Sequence, residues 1–223
     1  MALIHLSTIH KSFSDGKLKT THVLRGLNLE IEQGDFVAIK GASGSGKTTL
    51  LSILGTLLPP DEGSYHLDGK NLALVGTDLS LVRNRQIGFV FQNHRLMPQY
   101  TALENILLPV LAQKKQTSPE DEAYAEKLMK LTKIEGVANQ YPETLSGGEA
   151  SRVAVCRALI MNPTILLADE PTGQLDRENA QNIANLLVEV NRILNTTILM
   201  VTHSDETSSV AKRILTLKEG KLQ

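Results

Sequence analysis

The stretch FVAIKGASGSGKTTLLSILGTLL, Phe36 to Leu58, decides the fold. It opens with an apolar run, Phe36 to Lys40, after the turn signal Gln33-Gly34. GASGSGKT follows at Gly41 to Thr48, and then an apolar helical pattern over Thr49 to Leu58. Strand, glycine-rich turn and helix in that order form the context that a phosphate loop requires. Its glycines let backbone N–H groups wrap an anion at the N-terminus of a helix. In that arrangement Gly41, Ser43, Gly44, Ser45, Gly46 and Thr49 surround phosphate, Lys47 reaches the β and γ phosphates, and the Thr48 hydroxyl ligates magnesium. The plainer reading is a glycine-rich turn carrying a surface lysine.

Outward from this stretch, short apolar runs alternate with longer helical patterns, the form of a parallel sheet covered by helices. Ile87 to Phe91, Ile165 to Ala168 and Thr197 to Val201 read as further buried strands. Turn signals at Asp15-Gly16, Gln33-Gly34 and Asp68-Gly69 predict an antiparallel section within the first 75 residues. A closing hairpin is expected from Arg213 to Leu217, through Glu219-Gly220, into Lys221-Leu222. Residues 93–158 carry a helical pattern with a polar break at Gln113 to Glu122, which predicts a helical insertion between sheet strands. The chain therefore reads as one α/β domain over 1–223, with neither internal repeats nor low-complexity segments.

Two acids, Asp169 and Glu170, end the run Ile165 to Ala168, at the strand tip where open parallel sheets bind ligands. Successive strand residues point to opposite faces, so the two acids should divide their roles. Asp169 would face magnesium, and Glu170 would face an attacking water as general base. An acidic loop capping the next segment is the alternative. Gln92 after IGFVF and His203 after TILMVT should emerge at the same edge, Gln92 towards magnesium or the water and His203 towards the γ phosphate. Either residue alone at a strand end is more often structural.

LSGGE, Leu145 to Glu149, precedes another apolar helical stretch. Ser146, Gly147 and Gly148 could form a second phosphate-binding helix N-terminus, or an ordinary capping turn. Two phosphate sites with one lysine and one acidic pair fit a head-to-tail dimer, in which Ser146 of one copy completes the ATP site of the other.

With 223 residues, 41% of them hydrophobic, the chain can bury a proper core. A net charge of -1 with scattered Lys and Arg provides no electrostatic footprint for nucleic acid. The single cysteine, Cys156, cannot form an internal disulfide and reads as a buried small residue in a reducing compartment. Met1 to Phe13, interrupted by His5 and His10, does not read as a signal peptide. No apolar run approaches a bilayer span; Ile106 to Ala112 is too short and contains Pro109. A membrane role would come through another chain.

GASGSGKT, Gln92, LSGGE, ILLADEP, Gln174-Leu175-Asp176 and His203 resemble, in this order, the six motifs of ABC ATPases, across essentially the whole chain. The resemblance implies a RecA-like P-loop NTPase core with an antiparallel β section and a helical signature subdomain. It further implies Mg-ATP (ATP and Mg2+) as cofactor, ATP-driven dimer closure, and transmembrane permease subunits docked near Gln92, with the chain peripheral at the cytoplasmic face of the inner membrane. An aromatic stacking on adenine is implied upstream, and Phe13 in KSFSDG matches that place; a core Phe is the other reading. Asp176 would lie at the dimer interface or cap the next helix. FVFQNHRLMPQYTALENILLP and ADEPTGQLD are similar to the lipoprotein-release and macrolide-export group, LolD and MacB. That group usually carries two glutamines after LSGGE, where this chain has Ala150-Ser151. The competing class is a soluble ABC ATPase of DNA repair, translation or iron-sulfur assembly, but no coiled-coil insertion, second phosphate loop or paired-cysteine module is present.

Overall fold

Alternation along the apolar runs dictates how the layers stack. In the computed structural model, which describes residues 2–14, 20–72 and 78–223, each run becomes a strand with both faces covered. These strands are β3 (Phe36–Lys40), β6 (Ile87–Val90), β7 (Ile165–Asp169) and β8 (Thr197–Thr202). Val37, Ile39, Leu167, Leu199 and Val201 enter one core, where α1 (Lys47–Leu54) supplies Leu50, Leu51, Ile53 and Leu54. Their neighbours Phe36, Ala38, Leu166, Ile198 and Met200 enter a second core on the opposite face. That face is covered by α5 (Gly147–Leu159) and α6 (Arg177–Leu194), with Val153, Cys156, Ile183 and Leu187 pointing inward. Burying each large aliphatic side chain contributes about 1.5–3 kcal/mol relative to exposure, which is why these strands are apolar on both sides.

The main sheet has six strands in the order β10-β9-β3-β8-β7-β6. The five from β9 to β6 run parallel, and β10 (Lys221–Leu222) is the antiparallel arm of the hairpin with β9 (Arg213–Lys218). The expected antiparallel section is a separate sheet, β2-β1-β4-β5, built from Thr20–Ile31, Ile4–Ser14, Glu62–Leu67 and Lys70–Asn71. Its apolar side, including Leu6, Ile9, Leu27 and Leu29, shares the core of α1. The turn expected at Asp15-Gly16 lies outside the described residues.

Several boundaries differ from expectation. The helix after the phosphate loop starts two residues earlier, at Lys47, and stops at Leu54 rather than running to Leu58. At Gly55 a Cβ would lie 2.0 Å from the Phe89 ring, so the helix ends where β6 packs against it. The polar break within the helical region is confined to 115–118, because Ser118 and Asp121 form a capping box that starts α4 (Pro119–Leu131). Between β6 and α3 (Ala102–Lys114) the chain is irregular, and a short helix, α2 (Ser80–Gln86), precedes β6 without a sequence signal that had marked it.

Helices α3, α4 and α5 pack on one another through Ile106, Val110, Leu128, Met129 and Val155. Cys156 is buried among them beside the Thr132 hydroxyl, 3.1 Å away, and burial pushes its thiol up to about 12. The last helix, α7 (Asp205–Ser208), is short and comes directly after β8.

Candidate functional site

The strand order β3-β8-β7-β6 places four carboxyl ends side by side. From them emerge, in spatial order, the loop Gly41 to Gly46, His203, the pair Asp169 and Glu170, and Gln92. They border a cleft of about 750 Å³. Ser43, Gly44, Gly46, Lys47, Thr48 and Thr49 line it from the loop and α1, and Gln92, Asp169, Glu170 and His203 from the other strand ends. Phe13 reaches the cleft from β1 and is 46% exposed, so it is no core residue. Val23 of β2 also lines it, a residue that sequence reasoning missed because nothing separates it from its neighbours in an ordinary strand pattern.

The loop is shaped by its glycines. Gly46, the N-cap of α1, has φ 101, and a Cβ there would lie 2.8 Å from Val23 Cγ1. Gly44 has φ 77 and faces open space, with nothing within 4 Å of a built Cβ. No side chain caps α1 and no acid occupies its first turn, so its N–H groups remain available to an anion. Lys47 is only 9% exposed, and its Nζ donates to the carbonyl oxygens of Gly41 at 2.7 Å and Ala42 at 3.1 Å. Gly41 and Ser45 belong to the loop but do not line the cleft; a Cβ on Gly41 would approach Ser45 Oγ to 2.6 Å.

Thr48 Oγ1 donates to Asp169 Oδ1 at 3.4 Å. Burial raises the Asp169 pKa above the usual carboxylate range, against the opposing hydrogen bond from Thr48. Glu170 does diverge from Asp169, but for a reason other than strand alternation: it sits past the end of β7 with φ 46. Its amide donates to Val201 O at 3.0 Å, and its Oε2 lies 3.0 Å from His203 Nδ1 and accepts from the His203 amide at 3.3 Å. Among the described residues no three His, Cys, Asp or Glu side chains gather into a cluster able to hold a metal. The donor set here, one carboxylate and one hydroxyl beside a lysine and an open helix end, instead suits Mg2+ that arrives with phosphate oxygens of its own.

Ser146, Gly147 and Gly148 are not part of this cleft. Ser146 caps α5 in a closed box: Glu149 N donates to Ser146 Oγ at 3.3 Å, while Ser146 Oγ and N donate to Glu149 Oε2 at 2.6 and 2.8 Å. These bonds hold the Glu149 carboxyl below its ordinary pKa. The two glycines admit close neighbours, since a Cβ would lie 3.2 Å from Leu175 Cδ2 at Gly147 and 2.9 Å from Asn179 Oδ1 at Gly148. Asp176 is the N-cap of α6, accepting from Asn179 N at 3.0 Å.

The comparisons agree with this geometry. The family model "ABC transporter" matches residues 24–173. The lipoprotein-releasing system ATP-binding protein LolD of Bacteroides fragilis is 42% identical over 221 residues, covering 99% of this chain and 100% of that protein. The macrolide export ATP-binding/permease protein MacB of Bdellovibrio bacteriovorus is 41% identical over 99% of this chain, which corresponds to 33% of that longer protein. Among solved structures, the dimeric ATP-binding cassette MJ0796 bound to ADP and Pi superposes with a TM-score of 0.88 at 38% identity, covering 99% of this chain and 96% of that one. Cleft, strand order and relatives converge: the chain belongs to the ABC transporter family, as an ATP-binding cassette that hydrolyses ATP.

Proposed function

We propose that this chain binds Mg-ATP in the cleft beside Lys47 and hydrolyses it as half of a head-to-tail pair that energises lipoprotein release or export. The observation that carries the reading is a division. One chain brings Lys47, Thr48, Gln92, Asp169, Glu170 and His203 to a single sheet edge, yet leaves the Ser146 helix end outside the cleft. A second copy would supply Ser146, Gly147 and Gly148 opposite the first copy's phosphate loop. The dimeric state of the cassette MJ0796 supports this arrangement.

In the proposed mechanism Phe13 stacks on the adenine and the amides of Gly44 to Thr49 surround the phosphates. Lys47 exchanges two loop carbonyls for phosphate oxygens. Thr48, Asp169 and Gln92 would hold the magnesium, which when bound neutralises charge on the transferring phosphoryl group. Glu170, kept in place by His203, takes the proton of the attacking water, and His203 turns its other edge to the γ phosphate. A positioned base contributes about 100- to 10,000-fold in rate.

Coupling would pass through a groove of about 610 Å³ beside the segment after Gln92. The exposed side chains of Leu57, Leu81 and Met97 line it, and a helix from a transmembrane permease subunit fits that chemistry. No helix among the described residues is long and apolar enough to cross a membrane. Docked on such permease subunits, the chain would sit peripherally at the cytoplasmic face of the inner membrane, with residues 93–158 acting as a helical subdomain that carries Ser146. No observation favours a soluble role in DNA repair, translation or iron-sulfur assembly.

The test is Glu170→Gln. Phosphate release should fall by at least about 100-fold, while calorimetry still detects Mg-ATP binding and light scattering shows an ATP-driven dimer. Turnover at the wild-type rate would remove Glu170 as the base.

A further inference from the structure

The segment immediately after Gln92 is fastened to α5. His94 and Arg95 both adopt left-handed backbone, with φ 52 and 50, a conformation that side-chain-bearing residues keep only when their surroundings enforce it. Arg157 of α5 does so from below: its Nη2 donates to His94 O at 2.5 Å and its Nη1 to Arg95 O at 2.6 Å. On the far side, Gln174 Nε2 donates to Asn93 Oδ1 at 2.8 Å.

The most informative contact is made by the His94 side chain, whose Nε2 lies 2.7 Å from Ser151 Oγ. Ser151 Oγ is also 3.0 Å from the carbonyl oxygen of Gly147, which can only accept. The hydroxyl proton is thus committed to Gly147, and His94 must donate from Nε2. Burial and the neighbouring Arg157 guanidinium lower the His94 pKa, which favours the neutral ring, and the Ser151 geometry puts its proton on Nε2. A relay results: His94 to Ser151, Ser151 to Gly147, the first residue of α5 and the neighbour of Ser146. Ser151 stands at one of the two positions where glutamine was expected, and its short hydroxyl serves both contacts while staying buried.

We infer that His94 is a positioning residue: through Ser151 it ties the segment bearing Gln92 to the first turn of α5, so that filling the ATP cleft and presenting Ser146 to a second copy become one motion. This inference rests on the ATP-dependent pairing proposed above. His94 does not line the ATP cleft, so its loss should spare nucleotide binding to the single chain and weaken the later steps, pairing and turnover.

The experiment compares His94→Ala, His94→Gln, Ser151→Ala and the double alanine variant, each otherwise wild type and each also in the Glu170→Gln background. For His94→Ala, Mg-ATP affinity by calorimetry should stay within about twofold. Its kcat, and its ATP-driven dimerisation in the Glu170→Gln background, should each fall about tenfold, the size of one lost hydrogen bond to a buried group. His94→Gln, which restores an N–H donor, should recover most of the loss. The double variant should be no worse than either single one, as expected of two residues acting through one contact. Retention of either kcat or dimerisation within twofold in His94→Ala overturns the inference, as does a lower melting temperature that the Gln variant leaves uncorrected. A Glu170→Gln chain that stays monomeric at saturating ATP overturns the pairing and this inference with it. If that chain dimerises and its His94→Ala form dimerises equally well, only the inference falls.

Discussion

Two helix N-termini in this chain, those of α1 and α5, look alike in sequence and are prepared differently. Each has glycine and serine at its start, Gly46 and Ser45 before α1, Ser146 and Gly147 at α5. At α1 the cap is Gly46, with no side-chain bond, no acid in the first turn, and Lys47 beside it on loop carbonyls. At α5 the cap is Ser146, already bonded on both sides to Glu149. The first end has unspent donors and a cation next to them, so it is organised to hold an anion by itself. The second has spent part of its capacity internally and carries a carboxylate where a phosphate would approach. On the pairing proposed above, primary binding would belong to α1, and α5 would contribute when a second copy presents it to a filled cleft.

Lys47→Ala is the strongest way to break this comparison. If α1 owes its advantage to the lysine as well as to its bare amides, removing charge-assisted bonds of about 1.5–3 kcal/mol each should reduce Mg-ATP affinity by at least about 100-fold. Calorimetry on the purified chain measures this directly. Affinity equal to wild type would mean that the helix end alone binds, and that α1 and α5 differ less than their surroundings suggest.

The elements around α1 were the most legible part of the sequence. Phe36 to Lys40, the loop and the apolar helix are adjacent in the chain, and local physics governs them: a buried strand, a glycine turn, a helix start. Gln92, Asp169 and His203 could be assigned to strand ends for the same reason. Their order along the edge could not, because it stems from β7 lying between β6 and β8, and β8 beside β3, a tertiary choice with no local signature. The end of α1 was misjudged because Leu57 and Leu58 continue the apolar pattern, while the packing of Phe89 on Gly55 is a contact between residues far apart in sequence. At α5 LSGGE could be read as a phosphate-binding helix start or as an ordinary capping turn, and the spacing could not tell whether Ser146 was spent or free; the bond to Glu149 is seen only in the structure. The His94 to Ser151 contact joins residues 57 positions apart and had no signal in either segment.

Asp169 sharpens the same contrast at a smaller scale, since it faces the α1 end and burial disfavours its charge. Its folded pKa lies above the unfolded value, so its favourable contribution is complete below the ordinary carboxylate pKa of about 3.9 and is lost as pH rises through the raised value. The ligand-free chain should thus carry this acid at a cost near neutral pH. Asp169→Asn should melt a few degrees higher than wild type at pH 7, where about 1 kcal/mol corresponds to roughly 2–4 °C for a chain of this size. The gap should close near pH 4, and added Mg-ATP should stabilise the variant less than the wild type. A variant that melts lower at pH 7 would show that the Thr48 hydrogen bond outweighs burial.

Glu149→Gln gives the smallest effect and bears most directly on α5. Glutamine can keep the box closed, because its side-chain oxygen still accepts from Ser146, but the charge facing an incoming phosphate disappears. Removing a like charge from a helix N-terminus is worth about 0.3–1 kcal/mol to an approaching anion, or roughly two- to fivefold in affinity. In the Glu170→Gln background, sedimentation at graded ATP should therefore show tighter pairing by that factor, with Mg-ATP affinity of the single chain unchanged. The charged box stabilises wild type only while Glu149 is ionised: its pKa is lowered, so that contribution is present above the ordinary glutamate value and is lost as pH falls through the lower folded value. Any melting advantage of wild type over Glu149→Gln should shrink on acidification. Weaker pairing at neutral pH would mean that the carboxylate aligns Ser146 for the partner's phosphate more than it repels it, and that the α5 end is better prepared than its closed cap implies.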